Sequence, residues 1–270
     1  MITLALSPCP NDTFIFEAII HKRIDLEGLN FSISLHDVET LNQLAIAGDT
    51  DMIKVSFFTY LLLQHDFILL DSGSALGFGN GPLLISKKEY TLEEVPGLHV
   101  AVPGKYTTAH MLFRIAAPGT VNKEFMLFSQ IEDAILNGEV DAGVIIHENR
   151  FTYEQKGLKK ISDLGNYWEK LTGSPIPLGG IIARKGLGYD MINKLNRIMF
   201  RSVEFAMKNP GVVMPFVKEH AQEMDDEVMQ KHIGLYVNAN TLSLGTGGRV
   251  ALAKLQAVAN ERGMISEVAR

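Results

Sequence analysis

One local pattern occurs twice in this sequence and restricts the possible folds more than any other feature. Residues 46–56 and 136–146 each read as the end of a helix, a glycine, an acidic turn and a short apolar run. Glycine commonly follows a helix end because it can adopt the left-handed conformation. A short, β-branched apolar run is typical of a buried strand. The repeat therefore predicts two α/β units, although helix–glycine–strand is common enough for the match to be coincidence.

Polar side chains lie at the end of both predicted strands. Lys54 and Ser56 end the first run, and His147 and Glu148 follow the second. Ligands of open α/β sheets bind beyond the carboxyl ends of the strands, and histidine exchanges protons near neutral pH. We therefore interpret His147 as the candidate reactive group, at a cleft where the two strand ends face each other. The alternative is that His147 and Glu148 only cap the strand. Glu148 is disfavoured as a partner that orients His147, because adjacent residues of an extended chain point to opposite faces.

The composition is that of a globular protein without a nucleic-acid or membrane partner. The chain has 270 residues, 46% of them hydrophobic, which is enough for one large domain or two modest ones. Its net charge is −6 and it has no strongly basic run, which argues against nucleic-acid binding. No apolar run is long enough to span a bilayer. A small anion remains a possible ligand, because helix ends can bind one locally. The pattern does not predict an oligomeric state.

The cysteine and histidine content argues against a metal site. Cys9 is the only cysteine, so neither an intrachain disulfide nor a cysteine-based zinc site can form. The eight histidines show no His-Glu-x-x-His spacing. We expect no metal and no cofactor. The first residues lack the positive charge and long apolar stretch of a signal peptide, so we expect a cytoplasmic protein.

The first strand, Ile2–Leu6, is followed by a turn that contains two prolines. Because proline cannot donate a backbone hydrogen bond, the chain must turn within residues 7–12. Asn11 or Asp12 is expected to cap a helix that begins at about Thr13. The turn is either a plain connection or one wall of a ligand site, and the sequence does not decide between these.

Two further helix entries carry candidate capping residues. Thr107 and Thr108 precede a predicted helix over Ala109–Ala116, and hydroxyl side chains at this position cap helices well. The amide groups of such an entry also form an anion site. Capping without a ligand is the alternative. Ser129 followed by Glu132 fits a capping box at the start of the helix that leads to the second repeat.

The crossovers between the two units are predicted near residues 90–97 and 178–183. Residues 1–97 together with 184–270 would form a larger, discontinuous α/β domain. Residues 98–183 would form a smaller α/β domain inserted into it, and the substrate cleft would lie between the two. The apolar positions after residue 190 recur at helical spacing and indicate several packed helices.

Four segments together resemble a known family. They read SPCPNDTF at 7–14, KVS at 54–56, KYTTA at 105–109, and IHE followed by RFTY within 146–153. In this order and at this spacing they resemble the 1,4-dihydroxy-6-naphthoate synthase family of the futalosine route to menaquinone. The resemblance extends over nearly the whole chain.

The resemblance implies a fold like that of type II periplasmic binding proteins, with two α/β domains joined by two crossover strands. It implies a metal-independent lyase that converts cyclic dehypoxanthine futalosine to 1,4-dihydroxy-6-naphthoate, with His147 as the proton acceptor. The small-molecule carboxylate substrate would be bound by Lys54, Val55, Ser56, Thr108 and Ala109. The alternative is a non-catalytic cytoplasmic small-carboxylate binding protein of the same fold, because a fold alone does not fix a function.

Overall fold

The structure is a computed structural model that describes residues 1–221 and 225–265. Up to Gly77 the elements are β1 (Ile2–Leu6), α1 (Pro10–Ile20), β2 (Phe31–Leu35), α2 (Val38–Ala47), β3 (Met52–Ser56), α3 (Phe57–Leu63), β4 (Phe67–Leu69) and β5 (Ala75–Gly77). The next are β6 (Leu83–Ser86), β7 (Val100–Val102), α4 (Thr108–Ala116), β8 (Lys123–Phe125), α5 (Ile131–Asn137), β9 (Ala142–Ile145), β10 (Lys159–Asp163) and α6 (Leu164–Thr172). The last are β11 (Ile176–Arg184), α7 (Tyr189–Lys208), α8 (Pro210–His220), α9 (Asp226–Tyr236), α10 (Ala239–Leu242) and α11 (Gly245–Glu261).

The chain divides into two units, each with its own sheet. The first unit comprises Met1–Gly77 and Pro177–Arg270, and the second comprises Phe78–Ile176. The first sheet has the strand order β2-β1-β3-β11-β4, and β5 also pairs with β11. Strands β2 and β3 run parallel to β1, whereas β11 runs antiparallel to β3 and β4. Strand β3, which carries Lys54 and Ser56, therefore lies in the middle of its sheet.

Helix α1 is buried along almost its whole length in the first unit. It packs against α7 and α8, and Phe14, Ile15 and Phe16 belong to the largest core cluster. The helix begins at Pro10, with Cys9 as its N-cap, so the predicted start at Thr13 was wrong. Proline fits the first helical position because its fixed φ is already helical and it needs no amide partner there. Asn11 and Asp12 consequently lie in the first turn and neither is the N-cap.

The second unit contains a sheet with the strand order β10-β6-β9-β7-β8. Strands β8 and β9 run parallel to β7, and β6 runs antiparallel to β9 and β10. Helix α5 packs closely on β9 at Gly143. A Cβ atom at Gly143 would lie 2.4 Å from Cγ2 of Ile131, so only glycine fits without movement of the helix. This close contact sets the position of α5 relative to the strand that leads to His147.

The boundaries between the units differ from those predicted at 97/98 and 183/184. Strand β6 pairs with β9 and β10, which assigns Leu83–Ser86 to the second unit. Strand β11 pairs with β3 and β4, which assigns residues 177–184 to the first unit. A short apolar strand does not reveal which sheet it joins, because its pairing is with residues far away in sequence.

The helices of the described residues do not meet the requirements for membrane insertion. None in residues 1–221 or 225–265 is both long and apolar enough to cross a bilayer.

Candidate functional site

Lys54 lies on the central strand of the first sheet and forms a buried ion pair. Its side chain is 9% exposed, and its Nζ lies 2.8 Å from Oδ1 of Asp12, whose side chain is 3% exposed. The same ammonium donates a weaker hydrogen bond to the Gly73 carbonyl at 3.4 Å. A buried charge is tolerated in a protein when a counter-charge and hydrogen bonds accompany it. The charge of Lys54 is therefore balanced inside the first unit.

Asp12 is itself held by two neighbours. The hydroxyl of Ser7 donates to Oδ2 of Asp12 at 2.7 Å, and Nδ2 of Asn11 donates to Oδ1 at 2.8 Å. The side-chain oxygen of Asn11 lies 2.9 Å from Nε2 of His232. Because that oxygen can only accept, Nε2 of His232 carries the proton. A continuous polar chain thus links Ser7, which follows β1, to α1, β3 and α9 in the core of the first unit.

Ser56 ends β3 and is fixed by Asn42 of α2. Its amide donates to Oδ1 of Asn42 at 2.9 Å, and Nδ2 of Asn42 lies 3.2 Å from its hydroxyl oxygen. Both side chains are buried. The side chain of Val55 packs in a core cluster with Leu41 and Ile53. A ligand at the end of β3 would therefore meet the Ser56 hydroxyl and the main chain of Val55.

The entry of α4 in the second unit carries Thr108 and Ala109 in its first turn. Of the two candidate capping residues, Thr107 is the N-cap: its Oγ1 accepts from the amide of His110 at 3.1 Å, and the helix begins at Thr108, one residue before the predicted start. The Thr107 hydroxyl also donates to the Gly104 carbonyl at 3.0 Å. The first amides of a helix point outwards along its axis and carry the positive end of its dipole. This entry therefore has the local geometry of an anion site.

His110 fixes the loop that leads into α4. Its Nδ1 donates to the Lys105 carbonyl at 2.8 Å, and its ring contacts Phe125 edge-on with centroids 5.0 Å apart. Burial lowers the pKa of His110 to about 4, and the positive charges of Arg114, Lys123 and Lys105 contribute in the same direction. The imidazole is therefore neutral at pH 7. Sequence reasoning did not single out His110, since nothing in its local pattern distinguishes it from an ordinary helix residue.

His147 directly follows β9 and Ile146 and begins a 3-10 helix over His147–Phe151. Its φ is +58°, in the left-handed region that side chains other than glycine rarely adopt. The ring of Phe128 contacts the imidazole, with centroids 4.9 Å apart and planes at 64°. A strained residue of this kind persists only where its surroundings fix it, and such residues concentrate at functional sites.

The turn that carries His147 is anchored on two sides. Asn149 donates to Glu132 of α5, and Lys156 forms an ion pair with the same carboxylate at 2.7 Å. Arg150 donates to the Gly81 carbonyl at 2.8 Å. The predicted capping box of Ser129 and Glu132 was wrong. A 3-10 turn precedes α5, and the Glu132 side chain is directed to the residues after β9.

The structure groups the predicted site residues by unit. Lys54, Val55 and Ser56 are consecutive on β3 in the first unit. Thr108 and Ala109 lie at the start of α4, which packs against β9, the strand that precedes His147. Sequence reasoning missed Asp12 as the partner of Lys54 and missed His232, because these contacts join residues 42 and 221 positions apart.

Comparisons with known proteins agree over nearly the whole chain. A family model described as menaquinone biosynthesis matches residues 2–261. A 1,4-dihydroxy-6-naphthoate synthase from Thermus thermophilus is 43% identical over 263 residues, which cover 97% of this chain and 95% of that protein. A synthase of the same name from Streptomyces coelicolor is 41% identical over 269 residues, with coverages of 98% and 94%. The family resemblance carried by the four sequence segments is confirmed.

Two solved structures place the fold in a wider group. A protein from Archaeoglobus fulgidus superposes with a TM-score of 0.92 at 33% identity, covering 97% of this chain and 98% of that one. The periplasmic aliphatic sulphonate binding protein of Escherichia coli gives a TM-score of 0.64 at 11% identity, with coverages of 97% and 87%. The second similarity concerns the fold alone. It confirms the predicted periplasmic-binding-protein-like α/β fold.

Proposed function

The chain belongs to the menaquinone-biosynthesis family, and we propose that it is a lyase that forms 1,4-dihydroxy-6-naphthoate from cyclic dehypoxanthine futalosine. The observation that carries the proposal is the identity of 41–43% to two synthases of that name over nearly their whole length. A biosynthetic role of this kind, with one buried cysteine, also supports a cytoplasmic location.

We assign the role of proton acceptor to His147. Cleavage of a carbon–carbon bond that leaves an aromatic diol requires removal of a proton, and an imidazole accepts protons near neutral pH. The left-handed turn and the Phe128 contact support this role, because both restrict where the ring can lie. A base that is held in a fixed orientation raises the reaction rate more than a mobile one does.

The remaining predicted residues are proposed to bind the substrate. Because the ammonium of Lys54 is paired with Asp12, we assign the substrate carboxylate to the amides of Thr108 and Ala109 at the α4 entry. Ser56, Val55 and Lys54 would contact the substrate through the Ser56 hydroxyl and the adjoining main chain of β3. In this arrangement the α4 dipole meets the negative charge of the substrate without a buried, unpaired side-chain cation.

The experiment is the turnover of cyclic dehypoxanthine futalosine by the purified protein and by His147→Asn, with the product followed by chromatography. Asparagine is chosen because it tolerates a positive φ better than other side chains. We expect kcat to fall about 10³-fold in the variant, the range typical of a lost general base, while calorimetry shows that substrate still binds. His65→Asn, at a side chain that is 96% exposed, is the matched control and should behave as the wild type.

The lyase and the non-catalytic binding protein are expected to give different results in this assay. A folded wild-type protein that binds the substrate or another small carboxylate, but yields no product, would support the non-catalytic binding protein instead. A His147→Asn variant that retains full turnover would leave the lyase in place and remove His147 from the role of base.

A further inference from the structure

Glu132 is a buried carboxylate that the proposed chemistry does not use. It lies in the first turn of α5 and is 1% exposed. The transfer of a carboxylate from water into a protein interior is costly unless it gains hydrogen bonds or a counter-charge. The contacts of Glu132 therefore indicate what this residue does in the fold.

Glu132 is bound by two side chains of the segment that begins with His147. Its Oε2 accepts from Nδ2 of Asn149 and lies 2.7 Å from Nζ of Lys156. Asn149 is in the 3-10 helix that starts at His147, and Lys156 ends the next one, Tyr153–Lys156. A single carboxylate oxygen thus joins two consecutive 3-10 turns to α5.

A second anchor holds the same segment from another side. Arg150 donates to the Gly81 carbonyl at 2.8 Å, and its Nη2 lies 3.5 Å from Oδ2 of Asp163. Gly81 precedes β6 and Asp163 ends β10. The two anchors differ in kind. Arg150 ties the segment to the sheet, whereas Glu132 ties it to the helix on which β9 packs.

The backbone of His147 explains why such anchors matter. Its φ of +58° is unfavourable for a residue with a side chain, so the turn would relax if its surroundings did not fix it. The hydrogen bonds at Asn149 and Lys156 hold this turn and the next one without touching the imidazole. They can therefore control where the ring points while they leave its chemistry unchanged.

We propose that Glu132 is a positioning residue for His147: through Asn149 and Lys156 it holds the turn after β9 in the left-handed conformation that orients the imidazole. The proposal rests on the proposed function, in which His147 is the proton acceptor. It assigns Glu132 no contact with the substrate. A purely structural carboxylate would stabilise the fold without affecting the ring.

The first test is the kinetics of Glu132→Gln. The substitution keeps the shape of the side chain but removes the charge that binds Lys156 and leaves an amide facing Asn149. Since Lys156 is 45% exposed, water can solvate its ammonium in the variant, and we expect little change in thermal stability. We expect kcat to fall about 10- to 100-fold with KM nearly unchanged, because displacement of a reacting group by about 1 Å has effects of this size.

A matched control lies just after the same helix. Glu139, beyond the end of α5, accepts from Asn137 at 3.2 Å, so it forms the same type of carboxylate–amide contact without a link to residues 147–156. Glu139→Gln should keep wild-type kcat and KM. The pair Glu132→Gln with Asn149→Asp exchanges amide and carboxylate and should restore part of the lost rate. Loss of rate in Glu139→Gln as well would argue for a general effect on the unit.

A double-mutant cycle distinguishes positioning from structure. If Glu132 acts only through the imidazole, Glu132→Gln should cause no further loss in a His147→Asn background, where the base is already absent. An equal loss in both backgrounds would overturn the proposal. So would a kcat within twofold of wild type for Glu132→Gln alone.

A spectroscopic readout does not depend on turnover. In a ¹H–¹³C correlation spectrum of the histidine rings, the signal missing from His147→Asn identifies His147. We expect this signal to shift or broaden in Glu132→Gln and to stay in place in Glu139→Gln. An unchanged signal overturns the proposal even if the protein proves not to be a lyase. A shifted signal in a protein without turnover would mean that the proposed function fails while Glu132 still positions the ring.

Discussion

In the first unit the candidate binding residues lie on a regular strand, and the ammonium of Lys54 is neutralised by Asp12 at 2.8 Å. In the second unit the candidate residues lie at a helix entry and on a 3-10 turn. There the buried ring of His110 is neutral, and His147 has a left-handed backbone. The first unit thus contains a buried ion pair on a regular strand, and the second contains a buried neutral ring at His110 and a left-handed backbone at His147.

This difference determines what a perturbation of each unit should do. Removal of the counter-charge of Lys54 leaves a cation in the core, so the expected cost is a loss of folding stability. Protonation of His110 places a charge where there is none in the native state. Relief of the strain at His147 should stabilise the fold, while the chemistry assigned to that residue is lost.

The largest expected effect is that of Asp12→Asn on stability. The variant keeps the side-chain shape but leaves the buried ammonium of Lys54 without its counter-charge. We expect the free energy of unfolding at pH 7 to fall by about 3–5 kcal/mol, the usual cost of breaking a buried ion pair from one side. Urea denaturation followed by circular dichroism measures it.

The control for Asp12→Asn is an exposed ion pair of equal length. Glu204 and Lys208 on α7 also approach to 2.8 Å, but their side chains are 40% and 67% exposed. Glu204→Gln should cost less than about 0.5 kcal/mol. Asp12→Asn combined with Lys54→Met should recover most of the lost stability, because no buried charge then remains unpaired. A double variant as unstable as Asp12→Asn would contradict the electrostatic explanation.

An intermediate effect is expected from the titration of His110. Its folded-state pKa is about 4, compared with about 6.5 for an unfolded histidine. Between these values the unfolded chain binds a proton that the folded chain does not, so His110 lowers stability as pH falls from about 7 to about 4. The whole shift corresponds to about 3 kcal/mol.

His110→Gln isolates this contribution. The amide of glutamine can still donate to the Lys105 carbonyl, and glutamine is a favourable residue in the first turn of a helix. Because carboxylates titrate in the same range, the informative quantity is the difference in the free energy of unfolding between wild type and variant across this pH range. As the pH falls, the free energy of unfolding of the variant should rise by about 3 kcal/mol relative to that of the wild type. A constant difference would mean that the two proteins do not differ in proton uptake on unfolding.

The features that sequence reasoning predicted are local ones. The run Ala142–Ile146 has the length and β-branched character of a strand, and His147 follows it directly, so its place at the strand end could be read from the pattern. Thr107 and Thr108 could be recognised as candidate helix caps for the same reason, because capping depends on neighbouring residues. The family resemblance extended these local signals to the fold of the whole chain.

The features that it missed depend on contacts between distant residues. Asp12 lies beside the prolines of a turn and looks like a helix cap, but its carboxylate pairs with Lys54, 42 positions away. Glu132 fits a capping box by spacing alone, yet its partners come after the following strand. Strand β6 gives no local sign of the sheet that it joins. In each case the sequence pattern predicted a contact with residues nearby in sequence, whereas the contact in the structure is with residues that are distant in sequence.

The smallest expected effect tests the backbone strain at His147, through the relative stability of His147→Gly and His147→Ala. Both remove the ring and its contact with Phe128, so they differ mainly in backbone preference. At φ = +58° alanine is strained and glycine is not, and the glycine variant should be more stable by about 1 kcal/mol. At Val250, which is exposed within α11, the same pair should differ by about 1 kcal/mol in the opposite direction, because glycine weakens a helix. Chemical denaturation of the four variants gives both differences. If alanine is the more stable at position 147 as well, the turn is not strained, and the left-handed conformation needs no anchor at Glu132.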